Sequence, residues 1–374
     1  MVRAVQPRYQ KARREEKTRI LDEFCATTGY HRKYAISLLN SPLEEVSRLR
    51  PRRRGHTYGA QVVDVLARIW EAAGYPWSVR LKAMIPLWLP WARKHIKELS
   101  PALEQQLLAI SPRQMDRRLR QKKQVLGRRI YGRAKPGTLL KHHIPIKTHS
   151  WDVDRAGFAE IDLVSHSGSN ASGQFIYSLN LTDIHTTWVE TVAVIGKGQS
   201  GVLDAITDIE HALPFELRGL DSDNGSEFLN HHLHTYCQRQ AIQFTRSRPY
   251  KKDDNAHIEQ KNWTHVRKLL GWERYDSHKA LKAINDLYRN ELRLMMNLFQ
   301  PSVKLVRKTR VGSRLTRRYD LPQTPLDRLR ASSSAKSKKV AALVELREQT
   351  DPFELSRTIE RKLKRSYNLA KHCR

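Results

Sequence analysis

Apolar positions in the first 125 residues recur at helical spacing. In KTRILDEFCATTG, residues 17–29, Ile20, Leu21, Phe24 and Cys25 share one helical face, Gly29 offers a C-terminal stop, and YHRKYAISLLN opens a second short helix. Helix, glycine-bearing turn, helix is the outline of a helix-turn-helix. It puts His31, Arg32 and Lys33 at the start of the second helix, where side chains reach base edges or phosphates. The outline recurs in VVDVLARIWEAAGYPWSVRLKAMIPLW, with Gly74 at the turn. A third case is ALEQQLLAISPRQMDRRLRQKK, where Ser111 caps a helix opened by Pro112 that carries Arg113, Arg117 and Arg118. Any one of these alone is equally an ordinary αα-hairpin. Residues 127–149 mix glycine, proline and basic residues without a steady period, as an extended linker does.

From residue 157 the period shortens to two. GFAEIDLVSHS, GQFIYSLNLTD and TTWVETVAVIG read as a three-stranded meander, followed by an amphipathic helix in SGVLDAITDIEHAL. ELRGLDSDNG reads as a fourth strand running into a turn, SEFLNHHLHTYCQRQ as a helix and QFTRSRPY as a fifth strand. Helices follow over 255–274 and in HKALKAINDLYRNELRLMMNLF. Strands first and interleaved helices later define an α/β or α+β layer architecture. Beyond Pro301 a short β-like piece, either a small barrel or an arm, leads through ASSSAKSKK to a final helix. The expected organisation is multidomain: helix-turn-helix over 1–55, further helical modules over 56–126, linker 127–149, an α/β core over 150–300, and a basic C-terminal region over 301–374.

Charge sharpens this division. Residues 1–150 carry 32 Lys and Arg against 11 Asp and Glu, residues 151–300 carry 16 against 20, and residues 301–374 carry 20 against 7. A mildly acidic centre between basic flanks points to a polyanionic partner, because such flanks neutralise phosphates and release counterions. No apolar run approaches the roughly 18 residues of a membrane span, and MVRAVQPRYQKARREEK lacks the apolar middle of a secretory signal. The expectation is a soluble, cytoplasmic, nucleoid-associated protein without a membrane partner. Cys25, Cys237 and Cys373 are too scattered for a disulfide framework or a C-x-x-C zinc site.

The acidic residues of the centre carry the candidate chemistry. DSDNGSEF, residues 221–228, places two aspartates and a glutamate within eight positions of a chain whose formal net charge is +30. Asp162 lies mid-strand in AEIDLVSH, sharing a face with Glu160 by alternation. Asp223 ends the fourth strand and Glu259 falls on a following helix. Acids converging from separate elements repel one another and raise each other's pKa unless a divalent cation stands between them. Oxygen ligands of this kind suit Mg²⁺ or Mn²⁺. Two such ions can serve an in-line phosphoryl displacement.

DSDNGSEF followed by SRPYKKDDNAHIEQKNWTHVRKLLGW, with Glu259 in the D-35-E relation to Asp223, resembles the signature of the retroviral-integrase-like catalytic core shared by bacterial insertion-sequence transposases. The likeness covers about 155–275, and TTGYHRKYAISLL is more loosely similar to transposases of the ISNCY group. The resemblance implies an RNase H-like core with Asp162, Asp223 and Glu259 as catalytic metal ligands. It also implies cleavage at transposon ends, transfer of the freed 3′-OH to target DNA, and a DNA-bound homo-oligomer. Retroviral integrases carry a His-His-Cys-Cys zinc module that this chain lacks, so end recognition would fall to the helix-turn-helix units. A non-catalytic DNA-binding regulator and a structure-specific nuclease are the alternatives.

Other assignments stay open at this level. Asp221 could replace Asp223 or support it, Asp183 reads as a turn or cap residue, and Asp253 and Asp254 read as loop punctuation. His231, His234 and Cys237 share a helical face but lack a fourth ligand, so a packed or solvated face is the simpler account. Around Glu259, Lys252, Lys261 and Lys268 are candidate contacts to DNA phosphates, Asn255 and Asn262 share its helical face, and Trp263 is expected in the core.

Overall fold

The computed structural model describes residues 1–41, 58–125, 153–223, 225, 227–247, 256–311, 314–332 and 337–371. The chain divides into two compact units, Met1–Gly59 and Ala60–Arg374.

In the first unit α1 (Val2–Lys11), α2 (Arg14–Thr28) and α3 (Arg32–Asn40) close around Tyr9, Ile20, Leu21, Phe24, Leu38 and Leu39. Gly29 adopts φ 69 and its N–H reaches the Cys25 carbonyl at 2.8 Å, a left-handed C-cap that only glycine takes without strain. The α2–α3 pair follows the expected outline. α1 goes beyond it: Pro7 breaks the helical pattern in the sequence, yet Val2, Val5 and Tyr9 still pack on the cluster.

The second unit opens with α4 (Ala60–Ala72), α5 (Ser78–His95), α6 (Pro101–Ala109) and α7 (Pro112–Val125), which pack on one another. Ser100 and Ser111 each accept a backbone N–H three residues on, at 3.3 Å, capping α6 and α7.

β1 (Phe158–Ser165), β2 (Ile176–Asp183), β3 (Val189–Ile195), β4 (Gly219–Ser222) and β5 (Gln243–Arg246) form one mixed sheet in the order β3-β2-β1-β4-β5. The meander β1–β2–β3 is antiparallel, whereas β4 and β5 run parallel to β1. The parallel strands are reached through α8 (Gln199–Ala212) and α9 (His231–Arg239), as parallel crossovers require. α10 (Ala256–Lys261) continues through π-helical turns at Asn262–Arg267 into Lys268–Leu270 and lies on β1 and β2. α11 (His278–Leu287) continues through further π turns to Phe299 and packs on β3. The sheet interior is apolar: Ile161, Leu179, Leu181, Trp188 and Leu220 are at most 1% exposed.

β3 is an edge strand, and its outward backbone groups need partners. Two asparagines on the α11 line supply them. Asn285 accepts the Ala193 N–H at 2.8 Å and donates to the Ala193 carbonyl at 2.9 Å, and Asn297 makes the same pair of bonds with Val189 at 2.9 and 2.8 Å. Asn297 is 1% exposed, so Asn297→Ala leaves two buried backbone groups unpaired and is expected to cost about 2–4 kcal/mol. Urea unfolding with an unchanged m-value checks this.

His166 is fully buried against Tyr275, its Nε2 2.8 Å from the Ser178 hydroxyl, which in turn lies 2.8 Å from the Tyr288 hydroxyl. Burial, and then the charge of Arg267, push its pKa down to about 3. A histidine held neutral in the fold stabilises fully above its unfolded pKa near 6.5 and loses that contribution as pH falls towards about 3, at up to about 1.4 kcal/mol per pH unit. Stability is therefore expected to fall from pH 6.5 to 4, and His166→Gln to flatten that slope in pH-resolved denaturant titrations.

The C-terminal stretch departs from the expected single helix. β6 (Leu305–Val311) and β7 (Arg314–Tyr319) pair as an antiparallel hairpin, and α12 (Pro325–Ala331), α13 (Ser337–Gln349) and α14 (Pro352–Asn368) follow. The start signals of α12 and α14 are present as Thr324-Pro325 and Asp351-Pro352, a capping side chain before proline at the first helical position. Thr324 accepts the Asp327 N–H at 3.1 Å and Asp351 the Phe353 N–H at 2.9 Å. α14 packs on α4, α5 and α11, so the helical stretch from Ala60, the sheet and the C-terminal helices build a single unit. Among the described residues no helix is long and apolar enough to cross a membrane.

Candidate active site

β1 and β4 are parallel neighbours in which Glu160 pairs with Asp221 and Ile161 with Ser222, so Asp162 and Asp223 follow side by side at the next step. Alternation then gives two rows of acids on one face. The inner row is structural. Asp221 is fully buried and accepts the Thr245 hydroxyl at 2.6 Å, and Glu160, 1% exposed, accepts the Ile258 N–H at 2.9 Å, tying the first turn of α10 to β1.

The outer row is partly open to solvent. Asp162 is partly buried; its Oδ1 accepts the Leu163 N–H at 2.8 Å and its Oδ2 the Asn262 side-chain N–H at 2.6 Å. A chain of polar side chains stands behind that second bond: Thr191 donates to Asn180 at 3.2 Å, and Asn180 donates to Asn262 at 2.9 Å. Loss of solvent, then the charge of Asp223, push the Asp162 carboxyl up to about 7, with Glu227 adding to the rise. Asp223 is raised as well, first by burial and then by Glu227, while the Gly225 N–H at 2.9 Å and Lys197 oppose the shift. Lys197 Nζ lies 3.9 Å from Glu227 Oε2. The Glu227 carboxylate folds over Gly225, where an added Cβ would sit 2.7 Å from Glu227 Cδ, so glycine at that position makes room for the acid.

Glu259 is exposed on α10, three residues before Asn262 and so on the same helical face as the amide that touches Asp162. Among the described residues no group of three His, Cys, Asp or Glu is gathered closely enough to hold a metal ion. Asp162 and Asp223 are brought together; Glu259 stands one turn away, and Glu227 is the acid whose charge acts on both. The π-helical turn beginning at Asn262 falls at this point of the helix, a position such turns often take at functional sites.

The remaining candidates divide. His31, Arg32 and Lys33 are exposed at the start of α3, where His31 Nδ1 accepts the Lys33 N–H at 3.3 Å and Arg32 pairs with Asp22. Arg113 and Arg117 are exposed and Arg118 is partly buried on α7. Lys268 is exposed, its Nζ 2.6 Å from the Gly74 carbonyl. Lys261 is only 8% exposed, packed inward where burial and the charges of Arg80 and Arg328 push its pKa down to about 7. Trp263, expected in the core, is 40% exposed, because the π turns rotate that face of the helix outward. Asp183 is a turn residue: it accepts the N–H and hydroxyl of Thr186 and the Gly157 N–H at 2.6–2.8 Å. His231 is exposed while Cys237 is buried. Lys252, Asp253, Asp254, Asn255, Cys373 and the expected linker 127–149 lie outside the described residues.

Two site residues lie outside the expected set: Glu227, which stands inside DSDNGSEF itself, and Asn180, which the β1–β2 register sets directly opposite Asp162.

A mixed α/β chain with paired acids on adjacent parallel strands is the class that fold and site define. No family model matches the chain. It is 39% identical over 330 residues to "Uncharacterized protein y4rM" of Sinorhizobium fredii (strain NBRC 101917 / NGR234), an alignment that spans 88% of this chain and 93% of the relative, and it belongs to that protein's family. Among solved structures it is similar to the catalytic core domain of HTLV-2 integrase in complex with magnesium, at 14% identity and TM-score 0.30, over 40% of this chain and 90% of that one. A second similarity is to the catalytic core domain of BIV integrase, at 13% identity and TM-score 0.31, over 46% and 91%. At TM-scores this low the likeness assigns nothing to this chain.

Proposed function

We propose that this protein is a metal-dependent DNA transposase with an RNase H-like core, a polynucleotidyl transferase that cuts the ends of a mobile element and joins them to target DNA. The observation that carries the reading is the side-by-side placement of Asp162 in β1 and Asp223 just past the end of β4, where burial raises both carboxyls, the charge of Asp223 adds to the rise of Asp162, and that of Glu227 to both. That pair fits a hard divalent cation: it offers oxygen donors only, and its repulsion is relieved by positive charge. Asp162, Asp223 and Glu259 would hold Mg²⁺ or Mn²⁺, which when bound supplies activation of the attacking oxygen and charge neutralisation at the leaving one.

The chain's own residues prepare the site. Asn262, fixed by Asn180, orients the Asp162 carboxylate, and Glu160 anchors the helix that carries Glu259. Basic side chains on α3 and α7 would hold DNA phosphates, as a homo-oligomer assembled on DNA requires. A second reading of the third ligand rests on Glu227, whose charge already acts on both aspartates.

The test is incubation of the full chain with a labelled duplex carrying the DNA that borders its gene, with Mg²⁺ or Mn²⁺ and a target plasmid. Joined product is expected. Cleavage without joining would make the protein a nuclease, and binding with neither would make it a regulator.

A further inference from the structure

The β6–β7 hairpin stands apart from the central sheet as a two-stranded ribbon. Its register sets Arg307 opposite Arg318 and Lys308 opposite Arg317, with Arg310 and Arg314 nearer the turn. Like charges directly opposite on paired strands destabilise a ladder, and an isolated hairpin is marginal to begin with. Arg307, Arg317 and Arg318 are exposed, and among the described residues no carboxylate forms an ion pair with any of them. A ribbon that sets Arg307 opposite Arg318, both exposed and without a described acid partner, fits a ligand that brings negative charge to both strands at once. Duplex DNA does so, and its major groove admits a two-stranded β-ribbon with phosphates along either wall.

We propose that the β6–β7 hairpin is a DNA-binding arm that grips the backbone of duplex DNA through the opposed pair Arg307–Arg318, which by alternation shares one face of the ribbon. This rests on the reading that the chain acts on DNA, and it adds a binding element outside the acidic site and outside α3 and α7. Part of the hairpin's stability would then come from the bound DNA, which relieves the opposed charges.

The experiment uses the full chain and measures affinity for a labelled duplex from 50 to 300 mM salt, together with thermal midpoints at low salt. Arg307→Gln/Arg318→Gln is compared with wild type and with Lys279→Gln/Lys282→Gln, an equal charge change at exposed positions on α11. The slope of log affinity against log salt is expected to fall by about 1.8 in the hairpin variant, at about 0.9 per lost phosphate contact, and to stay unchanged in the α11 variant. The free hairpin variant keeps or raises its midpoint, and so separates lost contacts from lost folding. Lys308→Gln/Arg317→Gln, on the other face of the ribbon, is expected to change the slope less.

An unchanged slope in Arg307→Gln/Arg318→Gln overturns the proposal, as does an equal fall in the α11 variant, which would make the effect one of net charge alone. Loss of affinity for duplex RNA or anionic vesicles, with duplex DNA affinity retained, overturns it too. The joining assay reads the acidic site independently: a slope change in a chain that joins nothing keeps the arm and removes the transposase reading.

Discussion

Asp162→Asn and Asp223→Asn are each expected to abolish cleavage and joining of labelled DNA ends while DNA affinity stays within about twofold of wild type, since binding rests on basic surfaces elsewhere. The two carboxylates lie side by side on neighbouring parallel strands, and the charge of Asp223 already raises the Asp162 carboxyl. Replacing either by its isosteric amide keeps the shape but removes the negative charge that would hold a divalent ion. Metal-assisted stabilisation of a phosphoryl transition state is worth several kcal/mol, so a fall of about 10³-fold or more is expected at 1.4 kcal/mol per decade. Asp221→Asn is the informative contrast. Asp221 is buried against Thr245 in the inner row, so its loss should lower stability before it lowers the rate of chemistry.

The same pair is expected to govern response to metal. Without divalent cation at pH 8, above the value of about 7 to which the Asp162 carboxyl is pushed, Asp162 is ionised beside the charge of Asp223. Asp162→Asn is expected to raise the metal-free thermal midpoint by removing one of those charges. Addition of Mg²⁺ to wild type at about 100 times its Kd stabilises the native state by about 2.7 kcal/mol, a rise on the order of 5 °C. Asp162→Asn and Asp223→Asn should lose that rise. Differential scanning fluorimetry on the three proteins reads both effects, and an identical Mg²⁺ shift in all three would place metal binding elsewhere.

Much of the core is legible from alternation. Ile161 and Leu163 against Glu160 and Asp162 fix β1 and its two faces, and Gly29 and Gly74 mark turns between helices that form as expected. What the pattern could not give is what tertiary packing decides. The π turns at Asn262–Arg267 shift the helical phase, so Trp263 turns outward and Lys261 inward against a simple count of 3.6 residues per turn. The edge of β3 is closed by Asn285 and Asn297 from about a hundred residues downstream, a pairing no local signal announces. α12 and α14 were readable from their capping residue and proline, but a basic, serine-rich run between them reads as linker. In the site, Asp162 and Asp223 follow from the strand order, whereas Glu227 required knowing that the turn after β4 folds back over Gly225.

The most direct test of the central claim is joining of a labelled element end to target DNA in Mg²⁺ by wild type, Glu259→Gln and Glu227→Gln side by side. The account predicts joined product from wild type, none from Glu259→Gln, and reduced but measurable product from Glu227→Gln. Equal product from wild type and Glu259→Gln would contradict it, and loss confined to Glu227→Gln would transfer the third ligand to the turn after β4.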